Sequence, residues 1–168
     1  MYYTQWWRKS ACYEGNMDET LLNHKETQFI LLLEQTTSEL SILENEIKTL
    51  GHKTERKILE DFIKNESDCK DVNLIIIDFF ENQDQNDFEK VKKVCKNKEI
   101  PIIFYLNKFD KKIVANIKKF SKYGYILKDS NESILEATIE MTLELANMQE
   151  TLKEERKPPT ILAKNDYE

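Results

Sequence analysis

The sequence predicts an α/β domain built on a parallel sheet, and three observations carry that expectation. Four short apolar runs, FILLL (29–33), LIII (74–77), IIFYL (102–106) and YIL (125–127), are rich in Ile and Leu and do not alternate with polar residues. Strands buried on both faces of a parallel sheet have this character. Stretches of helical spacing lie between the runs, and such alternation implies βαβ units with right-handed crossovers. A weaker candidate strand around HKTER (52–56) brings the count to five strands and five helices.

The elements follow in order. After the first run, Thr36 and Glu39 make a T-x-x-E capping box leading into the helix SELSILENEIKTL (38–50), and Gly51 is placed to end it. KILEDFIKN (57–65) is a second amphipathic helix, DFEKVKKVCKN (87–97) a third, and KKIVANIKKFSK (111–122) a fourth, ended by YGY (123–125). His52, in the GHK turn, reads as a solvated turn residue. The last segment, 129–156, is the longest and carries two apolar stripes. Leu135, Ile139, Thr142 and Ala146 suit packing on the sheet. Ile134, Thr138, Met141, Leu145, Met148 and Leu152 recur at steps of 4, 3, 4, 3, 4, which is a heptad seam. The seam predicts a helix that outlasts the domain and pairs with a copy of itself or leads into another module. Three segments result: an aromatic-rich extension of unknown role (1–26), the α/β domain with its long last helix (27–155), and a tail containing Pro158-Pro159 (156–168).

Composition narrows the function. With 168 residues and 40% hydrophobic content the chain can bury one real core. Its 25 Lys and Arg against 31 Asp and Glu give a net charge of −6, which argues against a phosphate-neutralising nucleic-acid binder. Cys12, Cys69 and Cys95 are scattered and form no metal-ligand spacing, as in a reducing compartment. No apolar run approaches the roughly 20 residues that span a bilayer. The start MYYTQWWRK lacks the apolar core of a signal peptide, so a cytoplasmic location without membrane attachment is expected.

The stretch PIIFYLNKFD (101–110) ends in Asn107-Lys108-x-Asp110, the pattern by which GTP-binding proteins read the base. A GTPase also needs the G-x-x-x-x-G-K-[ST] phosphate loop. The three glycines, Gly15, Gly51 and Gly124, are not followed by Lys and Ser or Thr. The run is a strand of another kind of domain. In open α/β sheets the ligand crevice lies at the carboxyl ends of the strands. Glu34 ends the first run, Asp78 the LIII run and Lys128 the YIL run, so three ionisable groups converge on one edge. An Asp and a Glu presented together suit Mg²⁺, and a lysine opposite them suits a phosphate.

LIIIDFF, IPIIFYL and GYILK, in that order and spacing, resemble the receiver domain of two-component response regulators. The closing GYILKDSNESILEATIEMTLE looks like receivers of multidomain sensory proteins. The resemblance spans roughly 27–152 and implies a flavodoxin-like, doubly wound five-stranded parallel sheet in the order 2-1-3-4-5, with an extended C-terminal helix. By resemblance Asp78 is the phosphoacceptor, Lys128 contacts the phosphoryl group, and Asp78, Glu34 and Gln35 stand at the metal positions. Leu106 and Tyr125 stand at the switch positions.

Several positions depart from the family pattern. Gln35 replaces a carboxylate, so Mg²⁺ is expected to be held weakly or lost. Leu106 replaces the hydroxyl residue that would bond a phosphoryl oxygen, Asn107 the small residue after it, and Asp129 the usual proline. The resemblance implies a signalling domain and phosphoprotein of a His–Asp phosphorelay, served by a sensor histidine kinase or another phosphodonor protein. It implies no enzyme beyond self-catalysed phosphotransfer to, and hydrolysis from, Asp78. The alternative is a pseudo-receiver, a phosphorylation-independent protein-interaction or dimerisation module; on either reading a homodimer through the last helix is expected.

Overall fold

The computed structural model describes residues 26–35, 40–65, 69, 71–79, 85–95 and 99–156. Five strands, β1 (Phe29–Glu34), β2 (Lys53–Ile58), β3 (Leu74–Asp78), β4 (Ile102–Leu106) and β5 (Tyr125–Leu127), form one parallel sheet in the order β2-β1-β3-β4-β5. Five helices alternate with them: α1 (Ser41–Thr49), α2 (Leu59–Lys64), α3 (Gln85–Val94), α4 (Lys111–Phe120) and α5 (Glu132–Glu155). This is the expected flavodoxin-like topology with a long last helix. The extension 1–26, apart from Glu26, and the tail 156–168, apart from Arg156, lie outside the described residues, as do Thr36 and Glu39 of the capping box.

The central strands are buried, β1 at every residue but Phe29 and β3 and β4 throughout, which explains why these runs do not alternate. β2 lies at the edge and exposes about half its residues, so its sequence KTERKI signals a strand only weakly. It runs through Ile58, and α2 accordingly begins at Leu59 rather than at Lys57. The core divides by strand parity into two layers. Leu31, Leu33, Ile75, Ile77, Phe104 and Leu106 pack with Leu59 and Phe62 of α2, Phe88 and Val91 of α3, and Ile117 of α4. Ile30, Leu32, Leu74, Ile76, Ile103, Tyr105 and Ile126 pack with Leu43 and Ile47 of α1 and Leu135 and Ile139 of α5.

The helix ends have local causes. Gly51, at φ +90°, follows α1 and donates its N–H to the Lys48 carbonyl at 3.0 Å, a left-handed position that a side chain would strain. Asp110 accepts from the N–H groups of Lys112 (2.7 Å) and Ile113 (3.2 Å), so the Asp of the Asn-Lys-x-Asp stretch is the N-cap of α4. The Ile113 and Lys112 N–H groups hold its carboxyl below the usual range. Asn131 caps α5 by accepting from Ile134 N–H at 2.9 Å. No helix among the described residues is long and apolar enough to cross a membrane.

One sequence expectation is overturned. His52 is buried, only 6% exposed, and its Nδ1 accepts the Gln28 N–H at 3.3 Å. The turn composition suggested water, but the segment entering β1 covers the ring. Cys95 is also buried, which pushes its thiol up to about 12, with Cys69 beside it adding to the shift. We expect native Cys95 to resist iodoacetamide at pH 8 and to react once the domain is unfolded in urea, because the thiolate is the nucleophile. Peptide mass mapping reads both states.

Candidate functional site

The site stands at the carboxyl ends of the strands, on the layer covered by α1 and α5. The register Leu33↔Ile77 brings Glu34 and Asp78 to the ends of neighbouring strands, and Asp78 pairs with Tyr105 across β3 and β4. Period-two alternation then puts Glu34, Asp78, Tyr105 and Lys128 on one face, continuing the rows Ile30-Leu32, Leu74-Ile76, Ile103 and Ile126. Backbone bonds fix the rim: Phe79 N–H donates to the Tyr105 carbonyl (3.0 Å) and Lys128 N–H to the Leu106 carbonyl (2.8 Å).

Asp78 is 2% exposed, and its Oδ1 lies 2.9 Å from Lys128 Nζ. The same ammonium stands 5.5 Å from the centroid of the Tyr105 ring, a cation–π distance. Glu34 is buried as well. Burial pushes its carboxyl above the usual range; Arg56 works against that shift, whereas Asp78 and Glu44 add to it. The three residues expected at the strand ends are thus brought together. Gln35 is in the bend after β1 with its side chain exposed. Leu106 (1% exposed) and Tyr125 face the opposite layer, where Tyr125 meets Phe109 with ring centroids 6.3 Å apart.

One residue at the site was not anticipated. Arg56 of β2 pairs with Leu32, and so shares the face of Glu34 two residues further along. Its Nη1 lies 4.0 Å from Glu34 Oε1 and its Nε 2.9 Å from Glu44 Oε2 on α1. Only the cross-strand register reveals this neighbour.

The Mg²⁺ expected from the receiver resemblance would need oxygen donors at this edge. Glu34 Oε2 has no hydrogen-bond partner among the described residues, which suits a cation. The rest does not fit. Gln35 is neutral and exposed, and the Arg56 guanidinium already stands 4.0 Å from Glu34 Oε1, a like charge for any divalent ion at this carboxylate.

No protein-family model matches the chain, and no curated protein does. Solved structures do. The chain is similar to the N-terminal domain of a response regulator/sensory box/GGDEF three-domain protein from Carboxydothermus hydrogenoformans: 21% identity, TM-score 0.59, covering 73% of this chain and 98% of that one. It is similar to the chemotaxis protein CheY4 of Vibrio cholerae at 17% identity and TM-score 0.57, over 70% of this chain and 99% of that one. A third neighbour is a fusion carrying the yeast Spc42 trimeric coiled coil, at 20% identity and TM-score 0.67, over 77% and 87% of the two chains. Sheet order and neighbours define the class: a doubly wound α/β domain, here with a charged edge at its strand ends. In particular, the chain has the fold of response-regulator receiver domains.

Proposed function

We propose that the chain is a receiver-type signalling module that acts through protein contacts and holds a second copy of itself by α5. The observation that carries this reading is the seam. Ile134, Met141, Leu145, Met148 and Leu152 are 52%, 62%, 47%, 56% and 51% exposed along one side of a 24-residue helix, whereas its other stripe is buried at Leu135, Ile139 and Thr142. Contiguous apolar stripes of this kind mark interaction surfaces, and the heptad spacing selects another helix as the occupant. The exposed lysines of α4 and the Glu132, Glu136, Glu140 and Glu144 row of α5 offer complementary charge at the margins. Leu106 in place of a hydroxyl and Arg56 beside Glu34 support a module that does not switch by phosphate. Sedimentation at rising concentration tests the reading. A dimer is expected, and a chain that stays monomeric at high concentration overturns it.

The pairing of Asp78 with Lys128 favours a second reading, in which Asp78 accepts a phosphoryl group in a His–Asp relay. A carboxylate oxygen would form the new P–O bond as the donor's bond to phosphorus breaks, and Lys128 would offset the charge on the transferred group. The donor would be a sensor histidine kinase or another phosphodonor protein. Acetyl phosphate separates the readings. No label is expected on the first, while label on the wild type that disappears in Asp78→Asn establishes the second.

A further inference from the structure

We propose that Arg56 is the resident cation of the acidic edge, standing in for the divalent ion that a carboxylate pair at these strand ends would otherwise attract. The inference rests on the receiver-type reading of this edge, but not on the dimer. It starts from charge. Glu34 and Asp78 place two carboxylates at the ends of adjacent strands, each almost fully buried. Two like charges in a poorly hydrated site repel, and the site needs two positive charges to balance them. Lys128 supplies one at 2.9 Å from Asp78. Arg56 supplies the other at 4.0 Å from Glu34.

The arginine is held there rather than left to wander. Its backbone is fixed in the β1–β2 ladder opposite Leu32, and its side chain is two-thirds buried. Its Nε is bound at 2.9 Å by Glu44, and Glu44 is itself anchored by Lys48 (2.6 Å) and the Thr54 hydroxyl (3.2 Å). Contact with Lys48, above all, keeps the Glu44 carboxyl below the usual range, so it stays charged and keeps its hold on the guanidinium. α1 and β2 together thus aim a positive group at Glu34. A guanidinium cannot lose its charge in this pH range, so a divalent ion at Glu34 meets a like charge under all ordinary conditions.

The test uses Mg²⁺ alone as probe on the whole chain, read by amide NMR shifts of Glu34, Asp78 and Phe79. Arg56→Gln is expected to bind Mg²⁺ at least about tenfold more tightly than the wild type, since one repelling charge is gone. Arg56→Lys keeps the charge and is expected to follow the wild type. Equal affinity in the wild type and Arg56→Gln, whether both bind or both fail to bind, would overturn the proposal. So would an Arg56→Lys variant that gains Mg²⁺ as Arg56→Gln does. Melting of the wild type in Mg²⁺ and in EDTA needs no variant: equal transitions are expected, and a rise with Mg²⁺ counts against Arg56. Sedimentation of the same samples reports the dimer separately, so either idea can fail without the other.

Discussion

Lys128→Met is expected to remove about 3 kcal/mol of stability at neutral pH, the scale for breaking a buried ion pair from one side. The asymmetry of the pair makes this specific. Asp78 is 2% exposed, and in the variant its carboxylate stays buried next to Glu34, a group of the same sign, without the ammonium at 2.9 Å. Asp78→Asn is expected to cost much less. The Lys128 side chain is 18% exposed and can turn to water, and Glu34 loses a repelling neighbour. Combining the two changes should recover most of the loss, because coupled neighbours are not additive. Urea titrations at pH 7 compare all four proteins. A Lys128→Met variant as stable as the wild type would show that the pair carries no net stabilisation.

Leu145→Asp together with Leu152→Asp is expected to abolish self-association while leaving the sheet folded. Each leucine is about half exposed in a single chain, so pairing removes the remaining half from water. Full burial of such a side chain is worth roughly 1.5–3 kcal/mol, and half of it about 1 kcal/mol. Two helices lose four leucines, about 4 kcal/mol, or close to a thousandfold in dissociation constant. Four carboxylates brought together add repulsion. The five large seam residues of each helix would supply about 10 kcal/mol in gross terms, against an association cost of roughly 4–15 kcal/mol, so a modest dimer is the expected state. Sedimentation reads the mass and circular dichroism the fold. An unchanged mass would move the interface off α5.

Much of this architecture was legible because its causes are local. β1, β3 and β4 announce themselves as unalternating apolar runs, and the two stripes of α5 can be counted residue by residue. Glu34, Asp78 and Lys128 were found by position, as the charged residues at the ends of such runs. What escaped the sequence depends on contacts between distant segments. Arg56 sits in the weakest strand, where exposed charges are ordinary, and only the pairing of β2 with β1 gives it a role. His52 is covered by the segment entering β1, 24 residues earlier, which no turn rule anticipates. The start of α2 moved because the edge strand runs on through Ile58 before the backbone turns helical.

The sheet keeps its two sets of residues on opposite sides. Leu106 and Tyr125, the switch positions expected from the resemblance, face α2, α3 and α4, whereas Glu34, Asp78, Tyr105 and Lys128 share a layer with α5. The helix that exposes the seam therefore has its back to the layer that ends in the charged edge. A force applied at Asp78 need not cross the sheet to be felt outside. It has one thickness of packed side chains to traverse, through Tyr105 and Ile126 to Leu135 and Ile139, and on the far side of that helix lies the exposed seam.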